Sequence, residues 1–470
     1  MFDYYLVYLL LGLLSFNAIQ NVNGRFLEKQ VVSQVEIDTK LQAFLKNYAN
    51  DKDSQNFIKD VKAQLCDYRK HAHHDISQIS NLKRKKYDFA KLIKNLRKDD
   101  DEEPFEDIGD INRGLENVLY DGDIILTKNQ SKALNLIRRK KRQAVSLPSM
   151  LWPKLEPIPF YIDSSIDVNT SKLIKNAIDF WQNNTCLNFI ENSSAPTRIK
   201  FYKGTGCSSF VGRITGEQSI SLGSRCNYFG IISHEIAHSL GLFHYQSRPD
   251  RDEYIDILWN NVPSSWESNL QKEPQAITLG MPYEYGSIMH YAEKDSDLVQ
   301  LLAKDPRYQR TMGNRDHPTF NDVLLINKLY SCEKGFGGPD CSQPAPPEFS
   351  AKNCGGILQA NDEWQTLNGE TGENSKDVKE RQAACHWHIS SPFGTRIYIK
   401  VTAIQGACSL GCFYGSTEIK LGNFTLTGIR LCCYSDLKQE SEFITDRNLA
   451  VISVHSQLSI TKFSLMYKIV

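Results

Sequence analysis

The chain has 470 residues, of which 41% are hydrophobic and 23% are charged, and its 55 Lys and Arg residues balance 55 Asp and Glu residues. This is the composition of an ordinary globular protein that is long enough for about three domains. The zero net charge argues against a nucleic-acid-binding protein and against a protein held on an anionic membrane.

The N-terminus carries an apolar run from Leu6 to Phe16. The run is too short to cross a bilayer and matches the hydrophobic region of a secretory signal peptide, although Asp3 stands where a basic residue is usual. Small residues at the recognition positions predict cleavage after Gly24, so that residues 1–24 form the signal peptide. A buried N-terminal helix is the alternative. No later segment is apolar enough to span a membrane, and we therefore expect a secreted, extracellular protein.

In a secreted chain, twelve cysteines indicate a framework of disulfide bonds. Asn-x-Ser/Thr sequences are candidate glycosylation sites in such a protein. They begin at Asn129, Asn169, Asn183, Asn192 and Asn423.

Residues 25–142 are polar, contain blocks of like charge and end in the run RRKKR. Such blocks are typical of solvated segments. A multibasic run suits a proprotein convertase, and this run lies where polar composition gives way to the pattern of a packed domain. The sequence therefore predicts a propeptide over residues 25–142 that a convertase removes by cleavage after Arg142. A surface basic patch is the alternative.

From Trp152 the pattern becomes that of a globular domain. The stretch IPFYID alternates like a strand, and RIKFYKG and SISLGS predict further strands. Between them, apolar residues recur at helical spacing, which predicts a helix whose N-cap is Asn169, Thr170 or Ser171. The residues of this apolar helical face are Leu173, Ile174, Ala177, Ile178 and Trp181.

The stretch HEIAHSLGLFH, which begins at His234, points to metal chemistry. On a helix, His234 and His238 share one face, and two neutral imidazoles at this spacing bind Zn²⁺. Glu235 can accept a proton from a zinc-bound water. Gly241 can adopt the left-handed conformation that ends a helix, which lets His244 turn in as a third ligand. The alternative, three structural histidines, is disfavoured because three of only eleven histidines fall in this one pattern.

Downstream, the sequence SIMHY places Met289 in a turn that is followed by Tyr291. Together with the longer stretch HEIAHSLGLFHYQSRPDRD, this turn resembles the astacin branch of the metzincin zinc endopeptidases. The resemblance extends from about residue 121 to residue 332 and includes GCSSFVGR and FNDVLLINKLYSC. In this context the turn is identified as a Met-turn.

The resemblance implies a fold and a set of roles. The protein would be a multidomain chain with an α+β, two-lobed metzincin catalytic domain, followed by an all-β CUB-like sandwich. Glu235 would be the general base, Tyr291 would support the oxyanion and Met289 would lie beneath the metal. One Zn²⁺ per catalytic domain would be bound by three ligands: His234, His238 and His244.

The stretch YDGD, at residues 120–123, resembles the zinc switch F-x-G-D in the propeptides of this family. Gly122 lets the backbone pass close to the metal, and Asp123 offers a carboxylate in place of the catalytic water. Tyr120 replaces Phe; its ring would fill a pocket of the cleft, and its extra hydroxyl should cost little if it reaches solvent. An ordinary acidic turn is the alternative.

The chain departs from the family pattern at Tyr245, where astacins usually have a Glu that binds the newly formed N-terminus. A Tyr brings no charge, so we expect it to bind the new N-terminus more weakly, while the zinc chemistry stays intact. The resemblance also implies three disulfide bonds: Cys186–Cys332, Cys207–Cys226 and Cys354–Cys385. Four more cysteines would form two bonds of open connectivity: Cys408, Cys412, Cys432 and Cys433. Cys341 is then left over in the mature chain, unless it pairs with Cys332 as at the end of an EGF module.

Residues 333–350 resemble a truncated EGF-like segment that runs into a Pro-rich linker. Residues 351–470 contain short alternating runs separated by turn residues, which predict an all-β sandwich. Within it, CHWHISSP resembles a CUB domain. Whether this CUB-like region binds calcium is left open by the sequence.

The expected domains are residues 1–24, 25–142, 143–332, 333–350 and 351–470. The expected function is that of a secreted zinc metalloendopeptidase, made as a zymogen, that hydrolyses extracellular or matrix proteins. Cuticle collagen is one candidate substrate, a proprotein convertase is the expected activating partner, and no nucleic-acid partner is expected. The alternative is a catalytically weak or inactive extracellular binding protein that acts through its CUB-like domain. The intact zinc motif disfavours this alternative.

Overall fold

The structure is a computed structural model that describes residues 39–41, 43–44, 106–116, 118–127, 130, 148–273, 278–295, 298–332, 354–379 and 382–470. The predicted signal peptide, the cleavage site at Arg142, the sequon at Asn129 and the EGF-like segment lie outside these residues. Cys66 and Cys341 also lie outside them.

The first part of the described chain is built on a six-stranded sheet with the strand order β1-β5-β6-β4-β2-β3. Its strands are β1 (Ile124–Ile125), β2 (Ile158–Ile162), β3 (Phe189–Glu191), β4 (Arg198–Tyr202), β5 (Cys207–Phe210) and β6 (Glu217–Leu222). Strands β6, β4, β2 and β3 are parallel neighbours, and β5 runs antiparallel to β6. The short strand β1 comes from the predicted propeptide and pairs in parallel with β5. This segment of the predicted propeptide thus covers the edge of the sheet.

The described helices are α1 (Ile108–Ile111), α2 (Val168–Asn184), α3 (Phe229–Ser239), α4 (Phe320–Leu329) and α5 (Tyr434–Gln439). The predicted apolar face of α2 is confirmed, because all five of its residues are buried in the core. The predicted cap is wrong: α2 begins after Asp167, whose carboxylate accepts a hydrogen bond from the backbone N–H of Thr170. Asp167 has an extended backbone, as an N-cap residue requires.

Helices α2 and α3 pack against each other and against the sheet, and their contact surrounds Trp181, which is completely buried. A disulfide bond between Cys186 and Cys332 joins the segment after α2 to the segment after α4. Four short strands lie beyond α3: β7 (Ile255–Ile257), β8 (Lys294–Asp295), β9 (Leu298–Val299) and β10 (Leu301–Ala303). The pairs are β7 with β10 and β8 with β9, both antiparallel.

The C-terminal part is a β-sandwich, as the alternating runs predict. One sheet has the order β11-β13-β18-β15-β16 and the other has the order β12-β19-β14-β17. The strands are β11 (Gly356–Gln359), β12 (Gln365–Gly372), β13 (Ala383–Ser390), β14 (Ile397–Gln405), β15 (Gly415–Lys420), β16 (Ile429–Leu431), β17 (Glu442–Ile444), β18 (Leu449–Ser456) and β19 (Ile460–Ile469). Apolar side chains from both sheets, including Trp387 and Phe463, form one core.

Three disulfide bonds lie in the sandwich. Cys354 is bonded to Cys385, and the four cysteines whose connectivity the sequence leaves open form the pairs Cys408–Cys433 and Cys412–Cys432. In the first part of the chain, Cys207 is bonded to Cys226, between β5 and the start of α3.

The sandwich packs directly on the first part of the chain. The rings of Tyr228 and Phe413 meet edge to face across this interface, with centroids 5.2 Å apart. The guanidinium of Arg430 lies 3.3 Å from the carboxylate of Asp316, and both side chains are almost completely buried. None of the helices in the described ranges is both long and apolar enough to cross a membrane.

Candidate metal centre

Helix α3 places His234 and His238 one turn apart, with both side chains fully buried and their ring centroids 4.6 Å apart. The Nδ1 atom of His234 is 2.8 Å from the carbonyl oxygen of Ile288, and the Nδ1 atom of His238 is 2.7 Å from the carbonyl oxygen of Leu242. A carbonyl oxygen can only accept, so each Nδ1 carries the proton and each Nε2 keeps its lone pair. This is the tautomer that a metal ligand needs.

The chain turns sharply after α3 at Gly241, where φ is 108°. This left-handed conformation favours glycine, as the sequence predicts, and it brings His244 back towards the helix. The Nε2 atoms of His244 and His234 are 3.4 Å apart. Three imidazole nitrogens therefore converge on one point.

Asp123 of the predicted propeptide lies at this point. Its Oδ2 is 3.1 Å from Nε2 of His234 and 3.2 Å from Nε2 of His244, and its Oδ1 is 3.3 Å from Nε2 of His238. The ligand atoms of the four residues all lie within 4.8 Å of one another. Asp123 Oδ1 and His238 Nε2 are buried yet make no hydrogen bond. Three imidazoles and one carboxylate are a suitable tetrahedral donor set for Zn²⁺, and a cation between them would satisfy these two atoms.

The charges at this point favour a bound cation. Burial lowers the pKa of His234 to about 3. Burial would also lower the pKa of His244, but the carboxylates of Asp123 and Asp121 outweigh it and raise that pKa to about 9. Burial alone would raise the pKa of Asp123, but the neighbouring imidazoles hold it well below its usual range. Buried carboxylates need a positive partner, and a metal ion can supply that charge without protonating a ligand.

Glu235 lies next to His234 on α3 and is fully buried. Neither of its carboxylate oxygens has a hydrogen-bond partner. Burial and the nearby charge of Asp123 raise its pKa well above the usual range. A buried carboxyl group without a partner is costly, and groups of this kind are often kept for chemistry.

Tyr291 lies beside the three histidines, with its ring centroid 4.7 Å from that of His244. Its hydroxyl donates a hydrogen bond to the backbone oxygen of Asp121. A Cβ added at Gly122 would collide with this hydroxyl, which explains the glycine in the switch. Met289 is completely buried in the core that also contains α3.

Asp121 is the site residue that the sequence did not single out. Its carboxylate is 3.0 Å from Nδ1 of His244 and accepts a hydrogen bond of 3.1 Å from the hydroxyl of Ser247. Its φ of 54° is unusual for a residue with a side chain, but Asp tolerates it. The available signal was an acidic residue in a D-G turn directly before a predicted metal-binding Asp.

Tyr120 fills a buried position, as predicted, but its hydroxyl does not reach solvent. The side chain is buried, and its hydroxyl donates a hydrogen bond of 2.6 Å to Oε2 of Glu273 instead of reaching solvent. A phenol fits here because a carboxylate is present to accept its hydrogen.

Two further contacts attach the predicted propeptide outside the metal centre. The amide of Asn112 donates to the backbone oxygen of Cys207 at 2.6 Å and accepts from its N–H at 2.8 Å. The carboxylate of Asp107 forms an ion pair with Arg315, at 2.8 Å, in the interior. Neither contact was predicted, because each joins residues far apart in the sequence.

Tyr245 is completely buried. Its ring packs edge to face on Tyr283, and the guanidinium of Arg248 lies 5.2 Å from its ring centre. An aromatic cluster therefore fills this position. That Tyr245 binds the new N-terminus more weakly than a Glu stays a prediction.

The other predicted sites do not join the centre. The four sequon asparagines in the described ranges are exposed, at Asn169, Asn183, Asn192 and Asn423, and their glycosylation stays a prediction. One further metal-competent group occurs among the described residues: Cys412, Cys432 and Asp436. Its two cysteines are bonded to each other, which removes them as metal ligands.

Comparison with known proteins identifies the family. The sequence model of the Astacin peptidase family matches residues 144–331. The zinc metalloproteinase nas-27 of Caenorhabditis elegans is 32% identical over 409 residues, which cover 77% of this chain and 93% of that protein. The chain belongs to the astacin family.

Two other comparisons show how much of this astacin is similar to known proteins. The zinc metalloproteinase nas-31 of Caenorhabditis elegans is 32% identical over 403 residues, and the match spans 76% of this chain but only 64% of that protein. Among solved structures, the hatching enzyme zinc-protease High choriolytic enzyme 1 of the medaka fish is 31% identical. It covers 40% of this chain and 100% of its own length, with a TM-score of 0.38.

Proposed function

We propose that this astacin is a secreted zinc-dependent endopeptidase that is made as an inactive precursor and cuts extracellular or matrix proteins. The observation that carries the proposal is the convergence of three histidine Nε2 atoms on the Asp123 carboxylate, beside the unpartnered Glu235. The proposed ligands are His234, His238 and His244. The CUB-like assignment of residues 351–470 and the other domain boundaries belong to the same proposal, and the described β-sandwich supports them.

In the processed enzyme, His234, His238 and His244 would hold a zinc ion, which would supply Lewis acidity to the scissile carbonyl and lower the pKa of the attacking water. Glu235 takes the proton of that water and then delivers it to the leaving amine. Departure of the propeptide frees the hydroxyl of Tyr291 from Asp121. The phenol can then donate to the oxyanion that develops in the transition state.

In the precursor, Asp123 fills the position that the attacking water needs, and β1 covers the edge strand β5. The buried contacts of Asn112 and Asp107 hold this inhibitory segment in place. Cleavage after Arg142, by an enzyme of the proprotein convertase class, is the proposed first step of activation. An inactive binding protein is not favoured, because the zinc ligands and Glu235 are all present in the centre.

The test uses the processed full chain and a fluorogenic peptide substrate. Glu235→Gln keeps the three ligands but cannot accept a proton, so kcat should fall by about 100- to 10,000-fold while the zinc content stays the same. The matched control is Glu253→Gln, at an exposed position, which should leave both unchanged. Equal rates for Glu235→Gln and the parent would show that the assigned mechanism is wrong.

A further inference from the structure

The β-sandwich touches the start of the segment that carries Met289 and Tyr291. We call residues 284–293 the Met-turn segment. The backbone N–H of Thr427, in the sandwich, lies 3.3 Å and 3.2 Å from the two carboxylate oxygens of Glu284 and donates to them. Glu284 is 1% exposed, so this contact is shielded from water.

Gly286 shows how closely the two parts fit. A Cβ added at this glycine would lie 2.5–2.6 Å from Oγ1, Cβ and Cγ2 of Thr427. Real Cβ atoms do not approach other atoms so closely, and Gly286 does not have a positive φ that would call for glycine. The lack of a side chain is therefore required by the presence of the sandwich.

The sandwich also reaches the other end of the Met-turn segment. Oε1 of Glu293 accepts a hydrogen bond of 2.9 Å from Nη1 of Arg310. Nε of the same guanidinium lies 3.3 Å from Oδ1 of Asp436, in sandwich helix α5. All three side chains are almost completely buried. Buried charges of this kind hold their partners in a fixed geometry, because breaking one contact leaves an uncompensated charge.

Between these two ends, the segment touches the metal centre. The carbonyl oxygen of Ile288 accepts the hydrogen bond from Nδ1 of His234, and Tyr291 packs on His244. A shift of the Met-turn segment would therefore rotate the imidazole of His234 and move the hydroxyl of Tyr291. Displacements of about 1 Å at a reacting group can lower a rate about a hundredfold.

We propose that the β-sandwich is a positioning element of the active site. Thr427 holds the start of the Met-turn segment, and Asp436 holds its end through Arg310. The orientation of His234 and the position of Tyr291 then depend on the docked sandwich. The kinetic part of this inference rests on the proposed peptidase function. Because His234 and Tyr291 act on the reacting atoms, the effect should appear in kcat and not in KM.

The test compares Gly286→Ala with the double variant Gly286→Ala/Thr427→Gly in the processed full chain. The alanine should push the sandwich away, lower kcat about tenfold or more and leave KM within about twofold. Amide hydrogen exchange over residues 284–293 should become faster, and this readout needs no activity. Removal of the Thr427 side chain makes room for the alanine. The double variant should therefore recover kcat to within about threefold of the parent.

Gly356→Ala is the matched control, because a Cβ at that sandwich glycine has open space. Unchanged kcat and exchange in Gly286→Ala, or a double variant no better than the single one, would overturn the proposal.

If Gly286→Ala does not fold, Thr311→Val serves instead. It deletes the hydroxyl that donates to Gly428 O at 3.2 Å and accepts from Arg430 N at 3.3 Å. Faster exchange over residues 284–293 in that variant supports the proposal, and unchanged exchange contradicts it. A parent without peptidase activity would refute the proposed function, while the exchange data still decide this inference.

Discussion

At the scale of single residues, two carboxylates of the predicted propeptide lie on opposite sides of one imidazole. Asp123 faces Nε2 of His244, on the metal side, and Asp121 faces Nδ1 of the same ring. A group on the metal side replaces the attacking water, whereas a carboxylate on the far side fixes the orientation of the ring. The two residues should therefore contribute differently to latency.

We expect Asp123→Ala to make the uncut precursor partly active, because the attacking water can then enter. Activity on a fluorogenic peptide should rise at least about tenfold, which corresponds to about 1.4 kcal/mol of lost inhibition. Asp110→Ala is the control, since Asp110 pairs with Arg113 and is not one of the groups that contact the three histidines. If the Asp123→Ala precursor is as inactive as the parent precursor, inhibition depends on other contacts of the predicted propeptide.

The carboxylate of Asp121 holds the same turn from the other side of His244. Because this carboxylate contacts His244 and Ser247, the variant Asp121→Ala should loosen the inhibitory turn. The expected activity lies between those of the parent precursor and Asp123→Ala. The same peptide assay on the three precursors decides the order.

At the scale of elements, the sequence predicts helices and strands well where their periodicity is long. The apolar face of α2 and the ligand spacing on α3 follow from the 3.6-residue repeat, and the sandwich runs follow from alternation. The cap of α2 was misplaced because several polar residues in a row can all serve, and only the backbone geometry distinguishes Asp167 from Asn169. Strand β1 was not predicted, since two residues carry no periodic signal.

The cap can be tested by stability. Asp167→Ala should lower the free energy of unfolding by about 1 kcal/mol, because the N–H of Thr170 loses its acceptor. For a domain of this size the melting temperature should fall by about 2–4 °C. Asp179→Ala, on the exposed face of the same helix, should cost less, since alanine favours the helical interior. Equal losses for the two variants would contradict the cap assignment.

At the scale of the whole molecule, the contacts between the protease part and the sandwich were not predictable. Asp316 and Arg430, or Glu284 and Thr427, meet only because two separately folded cores dock, and nothing in their local sequence marks them. The family resemblance supplied the order of the domains but no relative placement. The interface buries several charged groups, so the free energy of unfolding should decrease at low pH.

Glu418 allows this response to be measured. Burial alone would raise its pKa, but Lys420 and Arg430 outweigh burial and lower the pKa to about 2. A lowered carboxyl pKa contributes stability that is fully present above the unfolded value, near 4.5, and is lost as the pH falls towards 2. The contribution is of the order of 3 kcal/mol. The stability difference between the parent and Glu418→Gln should therefore shrink between pH 6 and pH 3, as followed by denaturant unfolding.

Glu442→Gln is the control for this experiment, because Glu442 pairs with Lys400 at the surface. Exposed pairs contribute little, so its unfolding free energy should follow that of the parent at every pH. Identical pH profiles for Glu418→Gln and Glu442→Gln would exclude the buried cluster as a source of acid sensitivity.

Asp123 lies well before Arg142 in the chain, and its contacts with His234, His238 and His244 are noncovalent. Cutting the backbone after Arg142 would therefore not remove the inhibitor. It would convert an intramolecular blocker, present at a high effective concentration, into a separate ligand that leaves and returns by diffusion. The activity per enzyme molecule after processing should then rise on dilution, because a larger share of the cut peptide dissociates. The released peptide, added back in excess, should inhibit the enzyme again.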